Sequence, residues 1–209
     1  MARKYDNFKK VSSLQPVFDG FIRARRAEDH KAFAVEEFIR FYSVAGTILA
    51  NFRNIRTNVN ERILSHILMR SLLENYFWLL YIFFEDYEAS WSNRFEEYMD
   101  GFKSQYYKLY EEPYLPHKQS LQKPDSNWKT LKRTKDLNSV LVALKNDYGD
   151  KLSYLYFVYR ITSFDTHGKT MRSLFSNAFR KDCNFPYLKI EETIDLIANG
   201  YLVIWDKIK

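Results

Sequence analysis

The chain predicts an all-α fold, an antiparallel helical bundle, on three observations. Apolar residues recur at steps of three and four along most of its 209 residues, the spacing that gathers them on one face of a helix. Glycine and proline are scarce, 6 and 5 residues, too few for the turns of a β-sandwich or barrel. No sustained two-residue alternation marks a half-buried strand. Aromatic residues make up 18% of the chain; each buries a large area at small entropic cost, so these helices can enclose a solid core.

The elements follow in order. Residues 1–14 are polar and read as a weakly ordered N-terminus. A short helix follows over 16–27, where Pro16 suits the first turn because its missing N–H has no helical partner there in any case. A longer helix runs from residue 31 into the low fifties, with Phe38, Phe41, Tyr42, Ala45, Ile48, Leu49 and Phe52 at helical spacing. Asn58, with Glu61 three residues on, resembles a capping box with asparagine as the cap. It opens a helix to about residue 85 whose second half is apolar nearly all round, the pattern of a central helix. The apolar run 76–84 is nine residues long, whereas a membrane span needs about 20.

The next helix covers 90–111, where Phe95, Met99, Phe102, Tyr106 and Leu109 repeat at alternating steps of four and three. Such a seam is expected of an antiparallel helix pair or a dimer contact, and packing into the core is the favoured reading. Residues 112–135 carry Pro113, Pro116 and Pro124 among polar residues and break every period, so they form a long loop. Asp136 caps a helix to about residue 147, and Tyr148-Gly149-Asp150 makes a turn. A helix from about residue 151 contains Leu155, Val158, Arg160 and Ile161, with Gly168 as its terminator. Helices over 170–180 and 190–208 complete a single domain, the last with a break or kink at Asn199-Gly200.

Charge and composition narrow the function classes. The net charge of +6 favours phosphates or acidic surfaces. Positive residues gather at Lys9-Lys10, at 23–26 and at 129–135, each reading first as a solvated face. A single cysteine, Cys183, excludes an internal disulfide framework and a cysteine-rich zinc site. Together with an N-terminus lacking a signal-peptide pattern, it points to a cytoplasmic protein. No spacing of histidines and carboxylates suits a metal, and there is no Gly-rich phosphate loop, nucleophile elbow or dinucleotide fingerprint. No metal and no cofactor is expected.

The chemistry concentrates in the run Tyr159-Arg160-Ile161-Thr162-Ser163-Phe164-Asp165-Thr166-His167-Gly168. Arg160 is a permanent cation able to stabilise a phosphate, and His167 titrates near neutrality. If the run is helical throughout, seven steps of about 100° bring the two within about 20° of one face, with their α-carbons about 10 Å apart along the axis. If the helix ends early, Asp165 or Thr166 caps a following helix and leaves His167 near its positive end. A second constellation is Arg70 and Glu74, one turn apart on the apolar central helix. It reads first as an ion pair that fixes helix packing. Its functional reading has Glu74 orienting Arg160, or Arg70 joining Arg160 on an anion. His66 reads as a hydrogen-bonded core residue.

The all-α pattern, the Arg70-to-Glu74 helix running into aromatics, and the late Tyr-Arg-x-x-Ser…His-Gly stretch resemble an uncharacterised bacterial family. That family is similar in turn to the HEPN superfamily of small helical domains. The likeness covers residues 61–174, about half the chain. The HEPN ribonuclease motif is an arginine followed by a histidine after four to six residues, and Arg160 and His167 match its longest form. The resemblance implies a metal-independent endoribonuclease, often a toxin or phage-defence effector with an antitoxin or defence-system partner. RNA is the implied substrate, and a homodimer brings two motifs into one composite site. Arg160 would then stabilise the pentavalent phosphate and His167 carry the proton. One position departs from the pattern: Ile161 stands where active members commonly carry a polar residue, with Ser163 and Asp165 as the candidates to supply it. The competing expectation is a non-catalytic helical binding or oligomerisation module.

Overall fold

The computed structural model describes residues 5–24, 29–55, 58–132, 135–144, 150–166, 171–182 and 188–209. These residues are all-α, helices joined by turns with no strand among them. They belong to two compact units, Met1–Leu80 with Asn146–Lys209 and Tyr81–Lys145.

In the first unit the chain enters as α1 (Asp6–Ser13), where polarity alone suggests a weakly ordered tail. The difference comes from a carboxylate far along the chain. Asp195 accepts the Asn7 and Phe8 backbone N–H groups at 2.9 and 3.1 Å and the Asn7 side-chain amide at 3.0 Å. First-turn N–H groups have no intrahelical partner, so a carboxylate from elsewhere both satisfies and anchors them. α2 (Gln15–Arg23) carries Pro16 in its first turn as expected. α3 (His30–Asn51) is capped by Asp29, which accepts the Lys31 N–H at 2.7 Å. α4 (Val59–Ile82) begins on Asn58, which accepts the N–H groups of Asn60 and Glu61 at 3.0 and 3.2 Å. Glu61 reaches the Asn58 side-chain amide at 3.1 Å and the Asn54 N–H at 2.8 Å, tying the helix to the turn before it. The unit is completed by α7 (Asp150–Thr166), α8 (Met171–Phe179) and α9 (Ile190–Ile208).

α9 runs without the break expected at Asn199-Gly200. Glycine is needed there for space, since a Cβ at Gly200 would overlap the ring and hydroxyl of Tyr76 on α4. The next residue, Tyr201, is fully buried, its ring centroid 4.5 Å from Phe41, 5.1 Å from Phe38 and 5.5 Å from Tyr76. Phe18 of α2 extends this group, 5.6 Å from Phe38 and 5.2 Å from Trp205. Each such pair adds about 0.5–1.5 kcal/mol beyond its area burial. Burial, with the Glu37 and Tyr76 charges adding to it, pushes the Tyr201 hydroxyl well above its ordinary pKa, so it stays neutral.

The second unit contains α5 (Glu88–Glu111) and α6 (Leu137–Ala143). The heptad-like seam of α5 does not enter the core as its spacing suggests. Phe95 is buried, but Phe102 and Leu109 are 53% and 52% exposed. The buried positions further along are the small residues Gly101 and Ser104, while Trp91 and Phe95 are the buried rings near the start of the helix. The loop over 112–132 holds two short 3-10 turns, Lys118–Ser120 and Ser126–Thr130. It is pinned to α5 where Tyr106 donates its hydroxyl to the Gln122 carbonyl at 2.6 Å and meets the Trp128 ring at 6.1 Å. Asp136 caps α6 as expected, accepting the Ser139 N–H at 2.9 Å, and that hydrogen bond holds its carboxyl below the usual carboxylate range. The expected continuation of this helix to residue 147, the turn at Tyr148-Gly149, and Gly168 lie outside the described residues.

A polar network ties the chain before α6 back to the start of this unit. Glu97 accepts the Tyr81 hydroxyl at 2.8 Å and the Lys135 ammonium at 2.9 Å, and Lys135 also donates to the Tyr81 oxygen at 2.5 Å. Arg94 stacks over Tyr81 and donates to its carbonyl and to Glu85, both at 2.7 Å. Burial alone would raise the Glu97 carboxyl; the hydrogen bonds from Lys135 and Tyr81 and the charges of Lys135 and Arg94 outweigh it and hold it below its usual value. Lys135 is raised by its bonds to Glu97 and Tyr81.

Two outcomes follow from this packing. Gly200→Ala is expected to lower stability by about 1–3 kcal/mol through overpacking against Tyr76, although alanine is the better helix former by about 1 kcal/mol; urea unfolding reads the balance. A lowered carboxyl pKa contributes stability above the ordinary value that is lost as pH falls through the folded value. A raised ammonium pKa contributes below the ordinary lysine value and is lost as pH rises through the folded one. Wild type and Glu97→Gln should therefore differ in urea midpoint at neutral pH and converge only as pH falls through the lowered Glu97 value, below the ordinary carboxyl range.

Candidate functional site

The polar residues singled out in the sequence that the structure describes lie on α7 and α4, in stretches that belong to the first unit. On α4, His66 and Arg70 are one turn apart and share a face. On α7, Tyr159 and Ser163 are one turn apart, with Asp165 two residues on.

His66 and Asp165 form a hydrogen bond from Nδ1 to Oδ2 at 2.6 Å, 99 residues apart in sequence. Their side chains are 9% and 6% exposed. A carboxylate is an acceptor, so it assigns a ring proton to Nδ1. Nε2 has no hydrogen-bond partner among the described residues. The expectation of a hydrogen-bonded core histidine thus holds, and its partner is a residue that the sequence had placed beside Arg160.

Arg70 is half-buried and reaches across to α7. One guanidinium nitrogen donates to Ser163 Oγ, and its carbon lies 4.5 Å above the centre of the Tyr159 ring. Ser163 is held for this contact because its own hydroxyl donates to the Tyr159 carbonyl at 2.7 Å. The expected Arg70–Glu74 ion pair is absent: Glu74 is exposed and pairs with neither Arg70 nor Arg160 among the described residues. Solvent explains the choice. An exposed helical pair is worth a few tenths of a kcal/mol, whereas a desolvated guanidinium over an aromatic face is worth up to about 2 kcal/mol. Burial raises the Tyr159 hydroxyl above its ordinary pKa, Glu74 and Tyr156 add to the rise, and the Arg70 charge opposes it.

Arg160 itself is exposed, with no hydrogen bond or ion pair among the described residues. It stands between Phe157 and Phe164, both 42% exposed. Three, four and seven residues of separation put all three within about 60° of one another around the helix. Ile161 faces the other way and is buried. The two residues that might have replaced it as a polar neighbour are engaged elsewhere, Ser163 by Arg70 and Asp165 by His66. α7 continues to Thr166, whose hydroxyl turns back to the Thr162 carbonyl at 3.0 Å. His167 lies outside the described residues.

The sequence reading singled out Arg70, Ser163 and Asp165 but gave them other partners, and it treated His66 as a core residue apart from them. The available signal was the placement of His66 and Arg70 at helical spacing on an otherwise apolar helix, where each polar group requires a partner. Among the described residues no three His, Cys, Asp or Glu side chains gather to hold a metal ion, and no helix is long and apolar enough to cross a membrane. Compared with known protein families, curated proteins and solved structures, the chain matches none.

Removing one member of the His66–Asp165 pair leaves the other buried and unsatisfied. His66→Ala and Asp165→Ala are each expected to cost about 1.5–3 kcal/mol, and the double variant less than their sum. Urea unfolding of the three variants measures the coupling, and strictly additive costs would show that the contact contributes none.

Proposed function

We propose that this chain is a HEPN-like, metal-independent endoribonuclease of the toxin or phage-defence kind, acting as a homodimer in which two Arg160/His167 motifs form one site. The observation that carries the reading is the exposed Arg160 between Phe157 and Phe164. A cation with no carboxylate partner among the described residues, set between two half-exposed rings, suits a surface that meets both a second copy and a phosphodiester.

In this mechanism His167 takes the proton of the ribose 2′-hydroxyl as that oxygen attacks phosphorus. Arg160 stabilises the charge that gathers on the non-bridging oxygens. The bond to the 5′-oxygen breaks, that oxygen takes up a proton, and the products are a 2′,3′-cyclic phosphate and a 5′-hydroxyl. The His66–Asp165 and Arg70–Ser163 contacts support the site by holding α7 on α4, which fixes the backbone that carries Arg160.

The same stripe favours a second reading, a non-catalytic oligomerisation module in which Phe157, Arg160 and Phe164 serve only the contact between copies. Incubation with end-labelled RNA separates the two. Cleavage should persist in EDTA, fall by about 10²–10³-fold in Arg160→Ala, and fall by about 10²–10⁴-fold in His167→Ala. Equal cleavage by wild type and both variants, or a folded dimer that leaves RNA intact, would sink the nuclease reading.

A further inference from the structure

The excess positive charge of this chain is concentrated in one place. Residues 101–135 contain eight Lys or Arg and three Asp or Glu, a net +5 out of the +6 of the whole chain. Two of these lysines are neutralised, Lys103 by Asp100 at 3.7 Å and Lys135 by Glu97 at 2.9 Å. Lys108, Lys118, Lys123, Lys129 and Lys132 have no carboxylate partner among the described residues, and all but the half-buried Lys118 are exposed.

The same segment carries the aromatic file of α5. Phe102, Tyr106 and Tyr110 follow one another at helical spacing, with centroids 6.1 and 6.3 Å apart and ring planes inclined by 28° and 37°. The middle ring is fixed by Gln122 and Trp128. Phe102 at one end is 53% exposed, and Tyr110 at the other is partly exposed with the Lys118 ammonium 4.7 Å from its ring centre. Tyr114, just beyond the helix, is 92% exposed.

We propose that this face of α5 and the loop pinned to it bind single-stranded RNA. Bases stack on Phe102, Tyr110 and Tyr114, and the loop lysines without a carboxylate partner among the described residues, Lys118, Lys123, Lys129 and Lys132, meet the phosphates. Nucleic acid is favoured because one segment carries both unneutralised cations and open ring faces, with Lys118 and Tyr110 in direct contact, the two things a single strand offers partners for. An acidic peptide would use the cations alone, and a bilayer would use apolar area without regard to ring orientation. The surface belongs to the second unit and Arg160 to the first, and binding at the surface does not depend on cleavage; only the choice of RNA over DNA rests on the nuclease reading.

The test is fluorescence anisotropy with the full chain and a labelled 2′-O-methyl oligouridylate of about 16 nucleotides, which binds as RNA but has no free 2′-hydroxyl to attack. A failure to cleave therefore leaves the measurement intact. Binding is expected at low salt. Exposed Phe102→Ala combined with Tyr114→Ala should weaken it about tenfold or more. Each of Lys118→Gln and Lys123→Gln should reduce the slope of log affinity against log salt by about 0.7. No binding at low salt would overturn the proposal, and so would affinity and salt slope unchanged in these variants. Tighter binding to the DNA of the same sequence, to phosphatidylserine vesicles or to oligoglutamate would overturn it equally.

Discussion

Tyr201 is the position on which the first unit depends. Its ring is enclosed by Phe38 and Phe41 of α3 and by Tyr76 of α4, and α4 can come that close only because residue 200 has no side chain. Three helices are thereby fixed on one aromatic centre, and α2 joins them through Phe18. α9 carries a second anchor, Asp195, which holds the first turn of α1. One helix thus organises both the core and the N-terminal cap of the unit, and close packing leaves little freedom in how α4 is oriented.

That orientation decides what the polar face of α4 can meet. Once Tyr76 is committed to α9, His66 and Arg70 lie on a different side of the helix and find Asp165, Ser163 and Tyr159 on α7. Buried polar groups require partners, so these contacts select one register between the two helices from many that would satisfy the apolar residues alone. Arg160 is the one arginine of this pair of helices turned to solvent, and Ile161 beside it completes the core. Rigid support beneath an exposed cation is what a phosphate-directed site requires.

The second unit treats its aromatics differently. α5 buries Trp91, Phe95, Gly101 and Ser104, and Phe102, Tyr106 and Tyr110 form a file with the 112–132 loop pinned to it through Tyr106. Helical spacing places Phe95, Phe102, Tyr106 and Leu109 on one side, but spacing carries no information on whether that side is covered. The segment that carries these rings is also the one richest in lysine.

Within the described residues, the sequence by itself determined the helices, most of their starts and the absence of strands, because periodicity, Asx caps and Pro16 act between neighbours along the chain. Asp29, Asn58 and Asp136 cap where their local pattern places them. Only the tertiary structure decided that residues 6–13 are helical, that Gly200 serves packing and not a kink, that Glu74 is unpaired, and that His66 belongs with Asp165. Each of these depends on a partner tens to hundreds of residues away. A helix displays its residues in a fixed order around its axis, but which face is covered, and by what, is set by the simultaneous packing of every other helix.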